Sequence, residues 1–195
     1  VKVVVLLSGG LDSAALLARS LKNGDDPHCL AVDYGQRHRR ELDAARAVAV
    51  HYGRPFEVVT VPPTWLAGSS LTGGGGEMTG AATVVPARNL LFATLGVAHA
   101  LKVGAKSVLL GAHKGDAAVY PDCREEFFRS LDAAANAAYG VRVWAPFCTH
   151  DDKRGVAIYA QIAGVPIGLT WSCYAGGESP CGECGACVER AGALT

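Results

Sequence analysis

The sequence is short of charged and aromatic residues, and these shortages exclude several classes of protein. Only 18% of its 195 residues are charged and 7% are aromatic, and 18 basic against 18 acidic residues give a formal net charge of +0. A chain without a basic excess has no general nucleic-acid surface. No apolar run reaches the roughly 20 residues of a membrane span, and no secretory leader begins the chain. We therefore expect small-molecule substrates, no nucleic-acid partner, no membrane and a cytoplasmic location.

The two commonest phosphate-binding motifs are also missing. A Walker loop needs a lysine after its glycines, the Rossmann fingerprint needs G-x-G-x-x-G, and neither pattern occurs. Instead, an apolar strand at residues 3–7 leads through two glycines into a helix. Glycines let a ligand approach the backbone and a helix start offers unpaired N–H groups, so this turn predicts a phosphate site. The predicted ATP-binding residues are Leu7, Ser8, Gly9, Gly10, Leu11, Asp12 and Ser13, with Asp12 placed to hold Mg²⁺.

The rest of the chain alternates apolar runs typical of strands and helices. Strands are predicted at residues 3–7, 29–33, 55–61, 107–110 and 141–144, each followed by a helix or a loop and helix. This alternation predicts an α/β fold with a doubly wound, five-stranded parallel sheet. We expect residues 1–172 to form one ATP-binding domain. The glycine-containing segment 62–86 is predicted to be a long, mobile loop.

Cysteine, by contrast, is plentiful, and four of the seven cysteines crowd residues 173–195. Such density in a reducing compartment indicates a metal more often than disulfides. Four thiolates complete a tetrahedral zinc site, so a zinc-binding segment packed on the domain is predicted. An iron–sulfur cluster is the alternative, because C-x2-C-x2-C also begins a ferredoxin run, although Glu189 and Arg190 follow here instead of its further cysteine. The expected ligands are Cys173, Cys181, Cys184 and Cys187.

Four further motifs, together with the phosphate turn, make the chain resemble the 7-cyano-7-deazaguanine synthase family of the PP-loop ATP pyrophosphatases. They are residues 34–38, 86–89, 120–124 and 170–174. The resemblance covers almost the whole chain and implies an adenine nucleotide alpha hydrolase-like fold and a homodimer. It also implies an ATP-dependent ligase that turns 7-carboxy-7-deazaguanine and ammonia into the 7-cyano base through an amide. The expected cofactors are ATP, Mg²⁺ and Zn²⁺. No redox cofactor is needed, because acid, amide and nitrile share one oxidation level.

The motifs supply the expected site residues. Asp12, Asp122 and Lys153 are predicted to be catalytic. Alternatives stay open for several of them: Asp122 can be the N-cap of the helix that follows, Asn89 can cap its own helix, and Lys153 can be solvated. The predicted substrate-binding residues are Tyr34, Gln36, Arg88, Asn89, Asp116, Tyr120, Asp122 and Arg124.

Two other functions are consistent with the phosphate turn. In a PP-loop tRNA-modifying adenylase or sulfurtransferase, Cys123 or Cys148 would carry a persulfide, and a regulatory protein would bind nucleotide without catalysis. Cys123 lies between Asp122 and Arg124 at an expected helix start, a setting that lowers a thiol pKa. We nevertheless predict a packing role for Cys123, because ammonia can attack an acyl-adenylate directly.

Overall fold

The chain folds around a five-stranded sheet in which all the paired strands are parallel. A computed structural model describes residues 1–74 and 76–195. The strands are β1 (Lys2–Leu6), β2 (Asp26–Asp33), β3 (Phe56–Thr60), β4 (Ser107–Leu109) and β5 (Arg142–Trp144). The sheet has the order β3-β2-β1-β4-β5, which confirms the predicted fold class. Because the order reverses at β1, the carboxyl end of β1 is the place where such a sheet binds its ligand.

Helices cover both faces of the sheet, because successive side chains of a strand point to opposite sides. Val3 and Val5 of β1 pack in one apolar cluster with α1, α2 and α5, whereas Val4 packs in a second cluster with α3 and α4. The central strand is therefore apolar from Val3 to Leu6, as a strand buried on both faces must be. The helices are α1 (Leu11–Lys22), α2 (Arg40–His51), α3 (Arg88–Val103), α4 (Glu125–Tyr139), α5 (Lys153–Ile162) and α6 (Gly185–Leu194).

The segment between β3 and α3 is built of short 3-10 turns, which its glycine-rich composition does not predict. The turns are Pro63–Leu66, Ser70–Thr72 and Gly80–Thr83. Leu66 and Leu71 are buried against the end of β2. Scattered apolar residues therefore pack most of this segment onto the sheet. Its mobility stays a prediction, and Gly75 of the glycine run lies outside the described residues.

One apolar stretch is longer than the sequence prediction allowed. Gly80–Val103 is long and apolar enough, by length and composition alone, to cross a membrane. In the structure this stretch contains a 3-10 turn, a left-handed Ala87 (φ 58°) and then α3. Ala93 and Val97 of α3 are buried in the apolar cluster beneath β1 and β4. In this fold α3 therefore packs as a core helix.

The cysteine-rich tail packs on the same sheet. The backbone N–H of Trp171 donates to the carbonyl of Gly9 at 2.9 Å, and that of Gly185 donates to the carbonyl of Met78 at 3.0 Å. Arg190 of α6 donates to Thr170 Oγ1 at 2.7 Å and to the carbonyl oxygen of Ile167 at 2.9 Å. These bonds hold the tail beside the carboxyl end of β1.

Candidate active site

A cavity of about 220 Å³ opens at the carboxyl ends of β1, β2 and β4, where the strand order reverses. Its walls come from the turn after β1, the start of α3, the loop after β4 and the tail. Sequence-predicted residues on these walls are Leu7, Ser8, Gly10, Asp12, Ser13, Tyr34, Arg88, Asn89, Asp116, Tyr120 and Lys153.

The turn after β1 is shaped by glycine. Gly9 has φ +89°, and a Cβ there would lie 2.1 Å from the carbonyl oxygen of Glu41. Gly10 is the N-cap of α1, and no side chain in the described chain caps this helix start. The first N–H groups of α1 therefore lack a capping partner at the cavity wall. Ser8 Oγ and Ser13 Oγ lie 3.1 Å apart beside them. Leu11 is fully buried in the core and can offer a ligand only its backbone.

Asp12 and Lys153 meet on the cavity wall although 141 residues separate them. Lys153 Nζ donates to Asp12 Oδ2 at 2.6 Å. Burial opposes the ammonium charge of Lys153, but the carboxylates of Asp12 and Glu189 more than offset it and raise its pKa. The other oxygen, Asp12 Oδ1, is buried and has no hydrogen-bond partner in the described part of the chain. That orphaned carboxylate oxygen suits a hard cation such as Mg²⁺.

Two further acidic residues, Asp116 and Glu189, lie beside the buried His113. The Nε2 atom of His113, a residue only 1% exposed, is 3.5 Å from Asp116 Oδ1 and 3.8 Å from Glu189 Oε1. Burial, and more weakly the charge of Asp12, raise the pKa of Asp116. Sequence reasoning missed Glu189 as a site residue, because it reaches the cavity from α6 at the far end of the chain.

The opposite end of the cavity is aromatic and holds one arginine. The guanidinium of Arg88 lies 5.7 Å from the centre of the Tyr120 ring. Burial raises the pKa of Tyr34 to about 12 and that of Tyr174 well above its ordinary value, so both phenols are neutral hydrogen-bonding groups at neutral pH. Tyr34 also packs edge-on against Phe92. A fixed cation among flat rings suits a planar ligand that carries a carboxylate.

Asp122 and Asn89 are joined by two hydrogen bonds. Asp122 Oδ2 accepts from the backbone N–H of Asn89 at 2.8 Å, and Asn89 Nδ2 donates to the carbonyl of Asp122 at 3.0 Å. The alternative that Asp122 caps the following helix is therefore wrong, because Arg124 is the N-cap of α4. Asp122 instead satisfies an N–H group in the first turn of α3.

Three predicted substrate residues lie outside the cavity wall. Asp122 is behind Asn89, and Arg124 is exposed. Gln36 is buried, with Nε2 donating to the carbonyl of Val32 and to Glu41 Oε1. Gly9 likewise lies behind the wall, where it shapes the turn. Gln36, Asp122 and Gly9 hold or shape the backbone around the site.

Cys123 does line the cavity, but its environment does not make a thiolate. It belongs to the short turn Pro121–Cys123 that precedes α4, and its Sγ accepts from Asn89 Nδ2 at 3.2 Å. Burial raises its pKa to about 12, with the nearby carboxylates of Asp116 and Asp122 acting in the same direction. The expectation that a helix start lowers this pKa is wrong.

The four tail cysteines form one cluster. Their ligand atoms all lie within 4.8 Å of one another, and Cys181 Sγ is 4.0 Å from Cys187 Sγ. Metal–sulfur bonds of 2.3 Å in a tetrahedron place sulfurs about 3.8 Å apart, so the spacing fits one metal ion. Hydrogen bonds from the N–H groups of Cys184 and Glu183 lower the pKa of Cys181 to about 6, whereas burial raises that of Cys187 to about 12. A bound divalent cation would offset that burial, because coordinated thiols are deprotonated.

A parallel sheet with a ligand cavity at its reversal point, and a glycine turn that lacks the Walker lysine, defines the chain as an α/β protein of the PP-loop class. The family model described as "Queuosine biosynthesis protein QueC" matches residues 2–195. A protein of Alteromonas mediterranea named 7-cyano-7-deazaguanine synthase is 41% identical over 96% of this chain and 91% of its own. The protein of that name in Archaeoglobus fulgidus is 39% identical over 97% of this chain and 84% of its own. The chain belongs to the QueC family.

Solved structures with a similar fold are more distant in sequence. The U34-tRNA thiolase NcsA of Methanococcus maripaludis, with its [4Fe-4S] cluster, has a TM-score of 0.54 and 18% identity, covering 100% of this chain and 64% of that one. NMN synthetase of Francisella tularensis has the same TM-score and identity, covering 90% of this chain and 66% of that one. At this identity the likeness concerns the fold alone.

Proposed function

We propose that the chain is an ATP-dependent carbon–nitrogen ligase that makes 7-cyano-7-deazaguanine from 7-carboxy-7-deazaguanine and ammonia. Membership of the QueC family and the names of its relatives support this function. The observation that carries it is the two-ended cavity, with the glycine turn at one end and Arg88 among aromatic rings at the other. A ligase that activates a carboxylate needs a phosphate site and a carboxylate site in one cavity.

The chemistry requires activation of the carboxylate. A carboxylate oxygen cannot leave as oxide, so transfer of AMP from ATP to that oxygen creates a leaving group and releases pyrophosphate. Ammonia then adds to the acyl carbon, AMP departs and a proton is lost, which gives the amide. A second ATP then adenylates the amide oxygen and releases pyrophosphate, and loss of AMP and of both N–H protons gives the nitrile. No oxidant or reductant enters these steps.

At the phosphate end, the unpaired N–H groups of α1 and the hydroxyls of Ser8 and Ser13 would bind the triphosphate. Asp12 would hold Mg²⁺ through its free oxygen, and the ion would supply positive charge beside the phosphates. Lys153 supplies a second positive charge at the same place.

At the base end, Arg88 suits bidentate capture of the substrate carboxylate. Asn89 has its Nδ2 engaged by Asp122 and Cys123, so its carbonyl oxygen is left for a purine N–H. Burial raises the pKa of Asp116, which suits this carboxylate to accept a proton from attacking ammonia. We assign Asp122, predicted to be catalytic, to holding Asn89.

The four-cysteine cluster is proposed to bind one zinc ion with a structural role. Four thiolates fill a tetrahedral shell and leave no open position for catalysis. An iron–sulfur cluster would hold the four sulfurs further apart, because the body of the cluster lies between them. The short sulfur–sulfur distances therefore favour a single ion.

We also propose that the enzyme acts as a homodimer in the cytoplasm. None of the seven cysteines, all of which lie in the described residues, forms a disulfide, which suits a reducing compartment. Ile158 and Ile162, one helical turn apart on α5, are exposed apolar side chains that a second copy can cover. Sedimentation equilibrium of the purified chain measures its oligomeric state, and a monomer at micromolar concentration would contradict the proposed homodimer.

The activity is tested by incubating the purified chain with the carboxy base, ammonium and Mg·ATP, with product identification by mass spectrometry. We expect the nitrile, with AMP and pyrophosphate as the nucleotide products of each activation. Asp12→Asn should lower AMP formation about 10³-fold, and Arg88→Lys should raise the KM for the carboxy base about tenfold.

Asp43→Asn, an exposed acid on α2, is the matched control and should leave both values unchanged. ADP and phosphate as direct products, or AMP formed without any amide or nitrile, would contradict the proposal.

A further inference from the structure

We propose that the four-cysteine metal site positions the phosphate end of the cavity, and that Glu189 is the positioning residue that connects them. This inference rests on the proposed function. It assigns to the tail a role in nucleotide binding beyond that of holding the fold together.

Glu189 lies on α6, the helix that carries Cys187, and lines the cavity. Its Oε2 lies 3.6 Å from Lys153 Nζ and its Oε1 lies 3.8 Å from His113 Nε2. Lys153 Nζ therefore stands between two carboxylates, at 2.6 Å from Asp12 and at 3.6 Å from Glu189. Glu189 is the carboxylate of this group that comes from the tail.

The position of Glu189 depends on the cysteines. Cys184 is the N-cap of α6, and Cys187 lies in its first turn, two residues before Glu189. The backbone N–H of Cys184 donates to Cys181 Sγ at 3.4 Å, which joins the helix start to the rest of the cluster. A metal ion held by all four sulfurs would fix this end of α6, and with it the carboxylate.

The charges explain why that carboxylate is needed. Asp12 is the side chain proposed to face the magnesium–triphosphate, yet Lys153 occupies one of its two oxygens. A second carboxylate gives the ammonium group another partner when the nucleotide arrives. Without Glu189, Lys153 would be drawn wholly to Asp12, and its charge would be less available to the phosphates.

Binding free energies at two coupled sites are reciprocal. If the metal fixes Glu189 for the nucleotide, then bound Mg·ATP must raise the affinity of the chain for the metal by the same factor. A clamp of α6 by Arg190 alone would position Glu189 without this reciprocity, because Arg190 bonds to Thr170 and Ser172 and not to the cysteines.

The experiment measures the zinc affinity of the chain by equilibrium competition with a chromophoric chelator, with and without ATP, at a fixed excess of magnesium. We expect ATP to raise the zinc affinity of the wild type about fivefold or more. In Glu189→Gln the affinities with and without ATP should be equal, and the KM for ATP should rise about tenfold while the KM for the carboxy base stays unchanged. Glu178→Gln, an exposed acid in the same tail, should behave like the wild type.

An equal gain in zinc affinity in the wild type and Glu189→Gln, or no gain in a wild type that binds ATP and makes nitrile, would overturn the inference and leave the proposed function intact. A wild type that does not bind ATP in equilibrium dialysis would remove both. Should Glu189→Gln fail to retain one equivalent of metal, Glu189→Asp keeps the charge on a shorter arm. ATP should then raise its zinc affinity by a factor between one and the wild-type value, and the full wild-type factor would again overturn the inference.

Discussion

At the scale of single residues, burial decides which side chains of the cavity are charged. Burial raises the pKa of Cys123 to about 12 and also raises that of Cys148, so both thiols are neutral at physiological pH. Cys148 donates its S–H to the carbonyl of Cys123 at 3.0 Å. A persulfide-forming sulfurtransferase needs an accessible thiolate, which neither residue provides.

Cys123→Ser should therefore keep nitrile formation within about tenfold of the wild type. The serine hydroxyl can still accept the hydrogen bond from Asn89 Nδ2. Because the thiol titrates near pH 12, the rate of the wild type should show no step between pH 7 and pH 9 that the variant lacks. Rates of both proteins, measured by mass spectrometry across that range, check this.

A folded Cys123→Ser protein that binds both substrates but forms no nitrile would contradict direct attack by ammonia. Covalent catalysis through this cysteine would then replace it.

Sequence reasoning finds site residues best where they are contiguous. Ser8, Gly10, Asp12 and Ser13 lie within one turn, whose spacing fixes their geometry. Glu189 belongs to no such pattern, because tertiary packing of α6 alone brings it to the cavity. Conversely, a motif also contains residues that hold its own backbone, and for this reason Gln36 lies outside the wall.

At the scale of secondary-structure elements, the carboxylate of Asp132 joins α4 to the edge strand β5. Asp132 Oδ1 accepts from Arg142 Nε and from the backbone N–H of Val143, each at 2.8 Å. Asp132 Oδ2 accepts from Arg142 Nη2 at 2.7 Å. The hydrogen bond from Arg142 is the main reason that the pKa of Asp132 is lowered from its ordinary value of 3.8.

A carboxyl group whose pKa is lower in the folded than in the unfolded chain stabilises the fold above its unfolded pKa. Asp132→Asn should thus unfold at a lower urea concentration than the wild type at pH 7. This difference should shrink as the pH falls through 3.8 and below, where the wild-type carboxyl also becomes protonated. Urea midpoints of both proteins, measured at pH 7 and below pH 3.8, check this prediction. A difference that persists unchanged at low pH would mean that the carboxylate charge contributes nothing to stability.

Apolar periodicity predicted every strand of the sheet and the helices between them, because nearly all of these elements bury one side or both; the edge strand β3, which has no buried residue, is the exception. It did not predict the 3-10 turns between β3 and α3. Their buried side chains, such as Leu66 and Leu71, are spaced irregularly and contact residues far away in the sequence. Local patterns carry no information about such contacts.

At the scale of the whole molecule, hydrogen bonds join the tail to the rest of the chain, whereas all four proposed metal ligands lie within the tail itself. Cys184→Ala should lose the metal and destabilise the chain by several kcal/mol, because binding of a structural metal contributes directly to folding. Metal content and thermal unfolding of the purified variant measure both effects. Cys29→Ala is the control: its thiol is buried in the core away from the cluster, so metal should be retained.

One equivalent of metal retained in Cys184→Ala, or iron and sulfide found in the wild type, would show that the four-thiolate zinc site is wrong.

The cavity draws its walls from residues 7–13 and from residues 186–189, almost the whole length of the chain apart. A ribosome therefore makes the phosphate turn first and supplies Glu189 much later. Since chains begin to fold from the N-terminus as they emerge, the sheet can form while one wall is still missing. A nascent or prematurely terminated chain would thus hold the turn but not the completed cavity, and ATP would be consumed only after translation has passed the last cysteine.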